Sequence, residues 1–119
     1  MEVLVVDDSR AMRLIVSRIL KQTGFVTSIS EAENGQQALD HLRANPVDVV
    51  LSDWNMPEMT GIELLTTLRG EGVEVPFLFV TSESTAEMRD IATAAGATAL
   101  IAKPFTRELI EAELAAAAA

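Results

Sequence analysis

The chain has 119 residues, of which 49% are hydrophobic and 23% are charged, a composition typical of one globular domain with its own core. The formal net charge is −9, with no basic stripe to neutralise phosphates, so nucleic-acid binding is not expected. The lack of cysteine excludes disulfides and thiol chemistry, and no apolar run approaches the ~20 residues of a membrane span. Since no signal peptide precedes the first apolar run, we expect a cytoplasmic protein.

Short apolar runs alternate with helical patterns five times along the chain. The runs predict strands over residues 3–6, 26–30, 47–52, 76–80 and 97–102. The second run mixes apolar and hydroxyl residues, which favours an edge position. Short connections between strands and helices imply a parallel sheet covered on both faces, in one domain over residues 1–119. The poly-alanine tail over residues 115–119 is compatible with helix, and we assign it no function.

The helical patterns begin and end at residues that favour helix termini. They predict helices over residues 10–22, 35–44, 61–70, 85–95 and from 107 onward. Four of these follow a side chain that can accept a free backbone N–H, namely Ser9, Asn34, Ser84 and Thr106. Ser84 and Glu87 have the spacing of a capping box, which predicts the start of the fourth helix.

Polar side chains stand at the carboxyl ends of four predicted strands. Asp7 and Asp8 follow the first strand and Asp53 follows the third, while Thr81 and Lys103 follow the fourth and fifth. In a doubly wound parallel sheet these ends converge on one edge, where ligands bind. A single Asp after a strand is more often a helix cap. The set together predicts one site.

The charges of this set indicate its chemistry. Two carboxylates about 4 Å apart repel by about 4 kcal/mol at an effective dielectric constant near 20. Three acids beside one ammonium leave a charge of about −2 at neutral pH. Such a site either protonates an Asp or binds a divalent cation, and its oxygen ligands suit Mg²⁺. A metal, a lysine and a hydroxyl around one carboxylate predict phosphoryl transfer with Asp53 as the nucleophile.

The motifs that carry these residues resemble those of response-regulator receiver domains, and in particular those of the chemotaxis regulators among them. They are Val5-Val6-Asp7-Asp8-Ser9, Ser52-Asp53-Trp54-Asn55-Met56-Pro57 with Gly61, Val80-Thr81-Ser82-Glu83 and Lys103-Pro104-Phe105-Thr106. The resemblance spans nearly the whole chain. It implies a flavodoxin-like α/β fold, with a five-stranded parallel sheet in the order 2-1-3-4-5 and five helices.

The resemblance also implies a role for each matched residue in phosphoryl transfer and metal binding. Asp53 is expected to accept the phosphoryl group, and Lys103 to pair first with its carboxylate and then with the phosphoryl group. Asp8, Asp53 and the backbone carbonyl of Asn55 are expected to ligate Mg²⁺, while Asp7 contributes through water. The Lys103–Pro104 peptide is expected to be cis, which costs little before proline.

The resemblance also implies that other matched positions take part in switching and set the lifetime of the phosphoryl group. Thr81 is expected to donate its hydroxyl to a phosphoryl oxygen, which starts the conformational change. Asn55 and Glu83 are expected to face the attacking water and tune dephosphorylation. The chain departs from the family at Leu100, where receivers usually carry Tyr or Phe. Leu100 is predicted to be packed, because leucine is usually buried. Since leucine has no ring to swing, signalling is predicted to depend more on Thr81 and on the backbone of the loop after it.

The expected partners are a sensor histidine kinase or phosphotransfer protein as donor, and a downstream protein that recognises the face of the fourth helix, fifth strand and fifth helix. Chemotaxis or motility control is one expected role; the alternatives are a phosphorelay intermediate or the receiver part of a larger regulator. We expect a monomer without enzymatic activity beyond self-directed phosphotransfer and autodephosphorylation.

Two other classes of function fit the sequence less well. An aspartyl-phosphate hydrolase would carry Asp-x-Asp after the first strand, and Asp7-Asp8-Ser9 lacks that spacing. A flavin or nucleotide binder would need a Gly- or Thr-rich phosphate loop, which Ser9-Arg10-Ala11-Met12 does not provide.

Overall fold

The computed structural model describes residues 1–24, 26–103 and 105–118. Its elements in chain order are β1 (Glu2–Val6), α1 (Arg10–Gln22), β2 (Ser28–Ala32), α2 (Gly35–Ala44), β3 (Val49–Ser52), α3 (Gly61–Gly70), β4 (Phe77–Thr81), α4 (Ala86–Ala95), β5 (Ala99–Ala102) and α5 (Arg107–Ala118). The expected cis peptide at Lys103–Pro104 lies outside the described residues. Within the described ranges, every helix lacks the length or the apolar character that crossing a membrane requires.

The strands form one parallel sheet in the order β2-β1-β3-β4-β5, which confirms the predicted fold class. β3 and β4 are buried along their whole length, as short apolar runs inside a parallel sheet should be. β2 carries exposed residues and lies at the edge, as its mixed sequence predicts. The register aligns the carboxyl ends of the central strands, because Val6 lies opposite Ser52.

Alternate residues of the strands point into two apolar cores, one on each face of the sheet. On one face α1 and α5 pack through Val16, Leu20, Ile110 and Leu114. On the other face α2, α3 and α4 pack through Ala38, Leu39, Leu64, Leu65, Leu68 and Ala92. Each fully buried leucine contributes about 1.5–3 kcal/mol relative to exposure. The two cores hold the sheet between helices, so that its carboxyl edge is presented to solvent.

The helix termini agree with the sequence except at α4. Three predicted caps accept a backbone N–H three residues later: Ser9, Asn34 and Thr106. The prediction of Ser84 as the cap of α4 is wrong, because the hydroxyl of Thr85 accepts the N–H of Met88 at 3.1 Å. α3 has a complete capping box between Thr60 and Glu63, which was not among the predicted caps.

The strand bounds shift where pairing, rather than apolar content, sets the strand. β2 was predicted over residues 26–30 and lies at Ser28–Ala32, because its register with β1 pairs Ser28 with Glu2 and Ala32 with Val6. β3 and β5 begin two residues later than predicted, and β4 begins and ends one residue later. All five strands nevertheless end close to their predicted carboxyl ends, so these ends still lie at one edge of the sheet.

Arg69 of α3 ties two turns together on the opposite edge of the sheet. Its guanidinium donates to the carbonyls of Val73 at 2.8 Å, Val75 at 2.9 Å and Gly96 at 2.9 Å. The planar fork of arginine suits several acceptors at once. This side chain therefore joins the turn before β4 to the turn before β5.

Candidate functional site

Asp53 lies where the sequence predicts it, at the carboxyl end of the central strand β3. Its N–H donates to the carbonyl of Val6 at 2.8 Å, which extends the β1–β3 ladder by one residue. One carboxylate oxygen, Oδ1, accepts the N–H of Trp54 at 2.8 Å. The loop that follows returns to the site, since the N–H of Gly61 donates to the carbonyl of Trp54 at 2.9 Å.

Gly61 is placed where a side chain has no room. A Cβ at this position would collide with the carbonyl of Asp53 and lie 2.7 Å from the ring of Phe79. The start of α3 therefore approaches the backbone of Asp53 as closely as only glycine permits. The indole of Trp54 packs on the same Phe79 ring, with 4.8 Å between centroids, so the fluorophore adjoins Asp53.

Asp7 is the most firmly held of the three acids. Its N–H donates to the carbonyl of Ala32 at 3.1 Å, and its carboxylate accepts the N–H of Ser9 at 2.9 Å. Its second carboxylate oxygen lies 3.4 Å from Nζ of Lys103. Asp8 follows it with an exposed side chain. The buried acid is thus fixed by the protein, and the exposed acid is open to a ligand.

The three acids meet as predicted. One carboxylate oxygen from each of Asp7, Asp8 and Asp53 lies within 4.8 Å of the others. Lys103 lies beside them, and its Nζ is closer to Asp7, at 3.4 Å, than to Asp53, at 3.9 Å. The ammonium thus lies between the two acids, rather than pairing with Asp53 alone. The donor set is entirely oxygen, which fits a hard divalent cation.

Burial raises the pKa of the Asp53 carboxyl above its ordinary value, and the negative charges of Asp7 and Asp8 raise it further. Lys103 and the N–H of Trp54 favour the ionised form and lower the pKa of Asp53, but they do not cancel the rise. Asp53 is therefore an acid whose charge is costly in the folded protein. A cation bound to the cluster would relieve that cost.

Thr81 and Lys103 are joined through the backbone. The N–H of Lys103 donates to the carbonyl of Thr81 at 2.7 Å, so the ends of β4 and β5 are held together beside the acids. Thr81 is fully buried, and its hydroxyl oxygen accepts the N–H of Glu83 at 3.3 Å. The hydroxyl thus holds the first turn of the loop between β4 and α4.

The remaining predicted positions surround this site or lie behind it. Asn55 and Glu83 are exposed, on the loops that follow β3 and β4. Leu100 is buried at 8% exposure in the core beneath α4, as the packing prediction expects. Its carbonyl accepts a hydrogen bond from Arg89 of α4 at 3.4 Å.

Arg13 is a residue near the site that was not predicted from the sequence. It lies on α1 at 7% exposure, and its Nη1 donates to the carbonyl of Asp7 at 2.7 Å. The available signal was an arginine within the apolar pattern of α1, together with two acids, Glu31 and Glu33, near the end of the strand that pairs with β1.

Comparison with known proteins places this site in a family. A family model described as response regulator receiver domain matches residues 3–115. The chain is 38% identical over 113 residues to the chemotaxis protein CheY of Pseudomonas aeruginosa, covering 93% of this chain and 90% of that protein. It is 40% identical over 116 residues to the chemotaxis protein CheY-3 of Vibrio cholerae, covering 96% and 88% respectively.

Solved structures agree with the sequence comparison. The chemotaxis protein CheY4 of Vibrio cholerae superposes with a TM-score of 0.89 at 35% identity, covering 98% of this chain and 97% of that one. The receiver domain of the Francisella response regulator 1452 superposes with a TM-score of 0.91 at 25% identity, covering 98% and 95%. Because the family model spans nearly the whole chain and these relatives share both sequence and fold, the chain belongs to the response-regulator receiver domains.

Proposed function

We propose that this receiver accepts a phosphoryl group on Asp53 from the phosphohistidine of a sensor kinase or phosphotransfer protein and reports it to a downstream protein. The observation that carries the proposal is the cluster of Asp7, Asp8 and Asp53 with Lys103 against it at one edge of the sheet. No other group of three or more acidic or histidine side chains among the described residues is arranged to hold a metal ion.

The acidic cluster fits Mg²⁺ by its donor chemistry and its charge. Asp8 and Asp53, with the backbone carbonyl of Asn55, would hold the ion, and Asp7 would act through water. Bound there, Mg²⁺ supplies positive charge to the oxygens of the transferring phosphoryl group. Burial raises the pKa of Asp53, and the negative charges of Asp7 and Asp8 add to the rise; a cation that offsets these charges would therefore be favoured at the cluster.

The transfer itself forms one bond and breaks one. A carboxylate oxygen of Asp53 attacks phosphorus, the phosphorus–nitrogen bond to the donor imidazole breaks, and the departing imidazole takes up a proton from solvent. Lys103 offsets the charge gathered on the phosphoryl oxygens, from its position between Asp7 and Asp53. Water later hydrolyses the aspartyl phosphate. Asn55 and Glu83, on the loops after β3 and β4, would face the attacking water. We propose no turnover of external substrates.

A groove beside Lys103 offers the donor protein a place to dock. It has a volume of about 420 Å³ and a largely apolar lining from Met12, Ile15, Ile19, Ser82, Lys103 and Phe105. Ile15 is 47% exposed within the groove. A helix of the donor packed here would bring its phosphohistidine towards Asp53, because Lys103 lines the groove and its Nζ lies 3.9 Å from the Asp53 carboxylate.

Switching would begin at Thr81. Its hydroxyl accepts the N–H of Glu83, and donation to a phosphoryl oxygen would release or redirect that bond and so move the loop before α4. The bond between Lys103 N–H and the Thr81 carbonyl would pass the change to β5. The output face is then formed by α4, β5 and α5, with Leu100 packed beneath it instead of an aromatic ring.

The downstream role follows the relatives. Three of those reported above are named chemotaxis proteins, which favours motility control by protein–protein contact. A phosphorelay intermediate remains the alternative, and the two roles differ in what receives the phosphoryl group. Transfer from Asp53 to a histidine of another protein would indicate the relay.

The test uses Trp54, the only tryptophan, which adjoins the acceptor. In the presence of Mg²⁺ and a small phosphoramidate donor, we expect Trp54 fluorescence to change and the intact mass to rise by one phosphoryl group. Asp53→Asn should gain none, while Asp90→Asn on the exposed face of α4 should behave as the unaltered protein. Phosphate on the Asp53→Asn variant, or no mass change in the unaltered protein, would contradict the proposal.

A further inference from the structure

Arg13 stands out because it is charged, buried and unused by the chemistry described above. Among the described residues, Arg13 and Asp7 are the two charged side chains that are buried, at 7% and 5% exposure. Burying a guanidinium is costly unless it is paired and hydrogen-bonded. These two buried residues are in contact, which links Arg13 directly to the acidic cluster.

The guanidinium of Arg13 bridges the ends of two strands. Its Nη1 donates to the backbone carbonyl of Asp7 at 2.7 Å, and its Nε donates to the carboxylate of Glu31 at 3.0 Å. Its Nη2 lies 3.9 Å from the carboxylate of Glu33. The acids at the end of the edge strand thus anchor a side chain whose other arm holds the end of β1.

The carbonyl that Arg13 holds belongs to the peptide unit between Asp7 and Asp8. A hydrogen bond to that oxygen restrains rotation of the planar peptide, and so restrains ψ of Asp7 and φ of Asp8, which orient the two side chains relative to each other. The Asp7 carboxylate has further supports in Ser9 and Lys103. Asp8 has an exposed side chain, so its direction depends on the backbone that carries it.

We propose that Arg13 is a positioning residue of the metal site, which sets the affinity for Mg²⁺ by fixing the Asp7–Asp8 peptide. The proposal rests on the proposed function, because it concerns the same cation. Arginine suits this task because its planar fork serves the Asp7 carbonyl and the Glu31 carboxylate at once, whereas lysine has a single nitrogen.

The charge of Arg13 acts in the opposite direction and must be separated from its geometry. A positive charge near the cluster disfavours a cation, so its removal alone would strengthen Mg²⁺ binding. Glu31 and Glu33 already compensate that charge within 3.9 Å. The double variant Arg13→Met with Glu31→Gln removes one charge of each sign, keeps the net charge and releases the peptide.

The experiment is a Mg²⁺ titration followed by Trp54 fluorescence, with the free energy of unfolding measured on the same samples. We expect the charge-neutral double variant to raise the Kd for Mg²⁺ about tenfold, the lower end of the range for residues that support metal ligands. Arg13→Lys should raise it less. Phosphorylation of the double variant should need more Mg²⁺ but approach the original rate at saturation.

The matched control is the exposed pair of Arg43 and Glu71, which bond to each other away from the site. Arg43→Met with Glu71→Gln should leave the Kd unchanged. If the folded Arg13 double variant binds Mg²⁺ within twofold of the original Kd, Arg13 has a structural role only and the inference is wrong. If the double variant does not fold, an unchanged Kd in Arg13→Lys overturns the inference in the same way. Failure of the proposed function looks different, because the unaltered protein itself would then show no response to Mg²⁺ and no phosphorylation.

Discussion

Replacing Asp53 with asparagine should stabilise the fold at neutral pH when no divalent cation is present. The substitution is nearly isosteric, and the amide oxygen can still accept the N–H of Trp54 that Asp53 accepts at 2.8 Å. It removes a negative charge from a cluster in which three carboxylates lie within 4.8 Å of one another. Lys103 keeps a partner, because its Nζ lies 3.4 Å from Asp7.

The expected gain follows from the distances. At an effective dielectric constant of about 20, each carboxylate pair at 4.8 Å repels by about 3.5 kcal/mol, and Lys103 at 3.9 Å attracts Asp53 by about 4 kcal/mol. The two repulsions, from Asp7 and Asp8, exceed the one attraction. Because the Asp8 side chain is exposed and screened by solvent, the balance falls to about 1 kcal/mol in favour of the variant.

The gain should depend on pH in a defined direction. The pKa of Asp53 is raised in the folded protein by burial first and by the neighbouring acids second. The stability that Asp53 contributes is therefore complete below its ordinary pKa of 3.8 and is lost as pH rises through the raised value. Asparagine does not titrate, so its advantage should be full at pH 7 and should vanish in acid.

Mg²⁺ should reverse the order of stability. A cation at ten times its Kd stabilises the folded state by about 1.4 kcal/mol, and at one hundred times by about 2.7 kcal/mol. The unaltered protein should gain this amount, whereas Asp53→Asn, which lacks one of the proposed ligands, should gain less. The unaltered protein should become the more stable one once Mg²⁺ exceeds its Kd about tenfold.

The assay is urea unfolding followed by Trp54 fluorescence, at pH 7 and at pH values down to the acid limit of folding, with and without Mg²⁺. Asp90→Asn, an exposed charge on α4, is the control and should change the free energy of unfolding by only a few tenths of a kcal/mol. A loss of stability in Asp53→Asn without cations, or a gain that persists unchanged in acid, would refute the electrostatic reasoning.

Two further substitutions test the packing around the site and away from it. Gly61→Ala should lower the free energy of unfolding by about 1–3 kcal/mol, because the added Cβ would collide with the Asp53 carbonyl and the Phe79 ring. The same substitution should also slow phosphorylation. The control is Gly70→Ala, where the added Cβ meets open space, and it should cost no stability in a thermal unfolding comparison. Arg69→Met should cost about 2–4 kcal/mol in urea unfolding by leaving its three loop carbonyls without their charged donor, while leaving the Kd for Mg²⁺ unchanged. A weaker affinity of Arg69→Met for Mg²⁺ would contradict the reasoning that the edge of the sheet held by Arg69 is independent of the acidic cluster at the opposite edge.

The position of the acids was predictable because it depends on topology rather than on detail. Buried apolar runs such as Val49–Ser52 identify strands, and parallel strands with right-handed connections have their carboxyl ends at one edge. Asp7 and Asp53 each follow a strand by one residue, and the register places Val6 opposite Ser52. The strand order and register therefore make the two acids neighbours, independently of how the surrounding side chains pack.

The misplaced details depend on pairing and on competition between adjacent side chains. β2 was placed two residues early because Val26 is apolar, whereas the partner strand β1 decides where the ladder begins. Ser84 and Thr85 are both good caps, and the backbone of the loop selects Thr85. Neither choice is visible in a hydrophobic pattern, since each is decided by contacts with residues distant in sequence or by loop geometry.

Arg13 escaped prediction for a related reason. Arg13 falls on the same face of α1 as Val16 and Leu20, but the helix pattern alone does not show what would pair with a buried guanidinium. Its burial depends on β2 lying beside β1, which brings Glu31 to one arm of the guanidinium and the Asp7 carbonyl to the other. A buried charge becomes predictable only when the strand order supplies its partners.

The chemistry proposed for the acidic cluster requires that Asp53 is partly buried. Deeper burial would raise the pKa of Asp53 further and favour the protonated acid, which is neither a nucleophile nor a metal ligand. Full exposure would let solvent screen the three acids and weaken their attraction for a cation. Lys103 lies 3.4 Å from Asp7 and 3.9 Å from Asp53, so one ammonium offsets part of the charge of both without neutralising either. The site is thereby left with a negative charge that a divalent cation could balance, and the same three acids, by repelling one another, lower the stability of the fold.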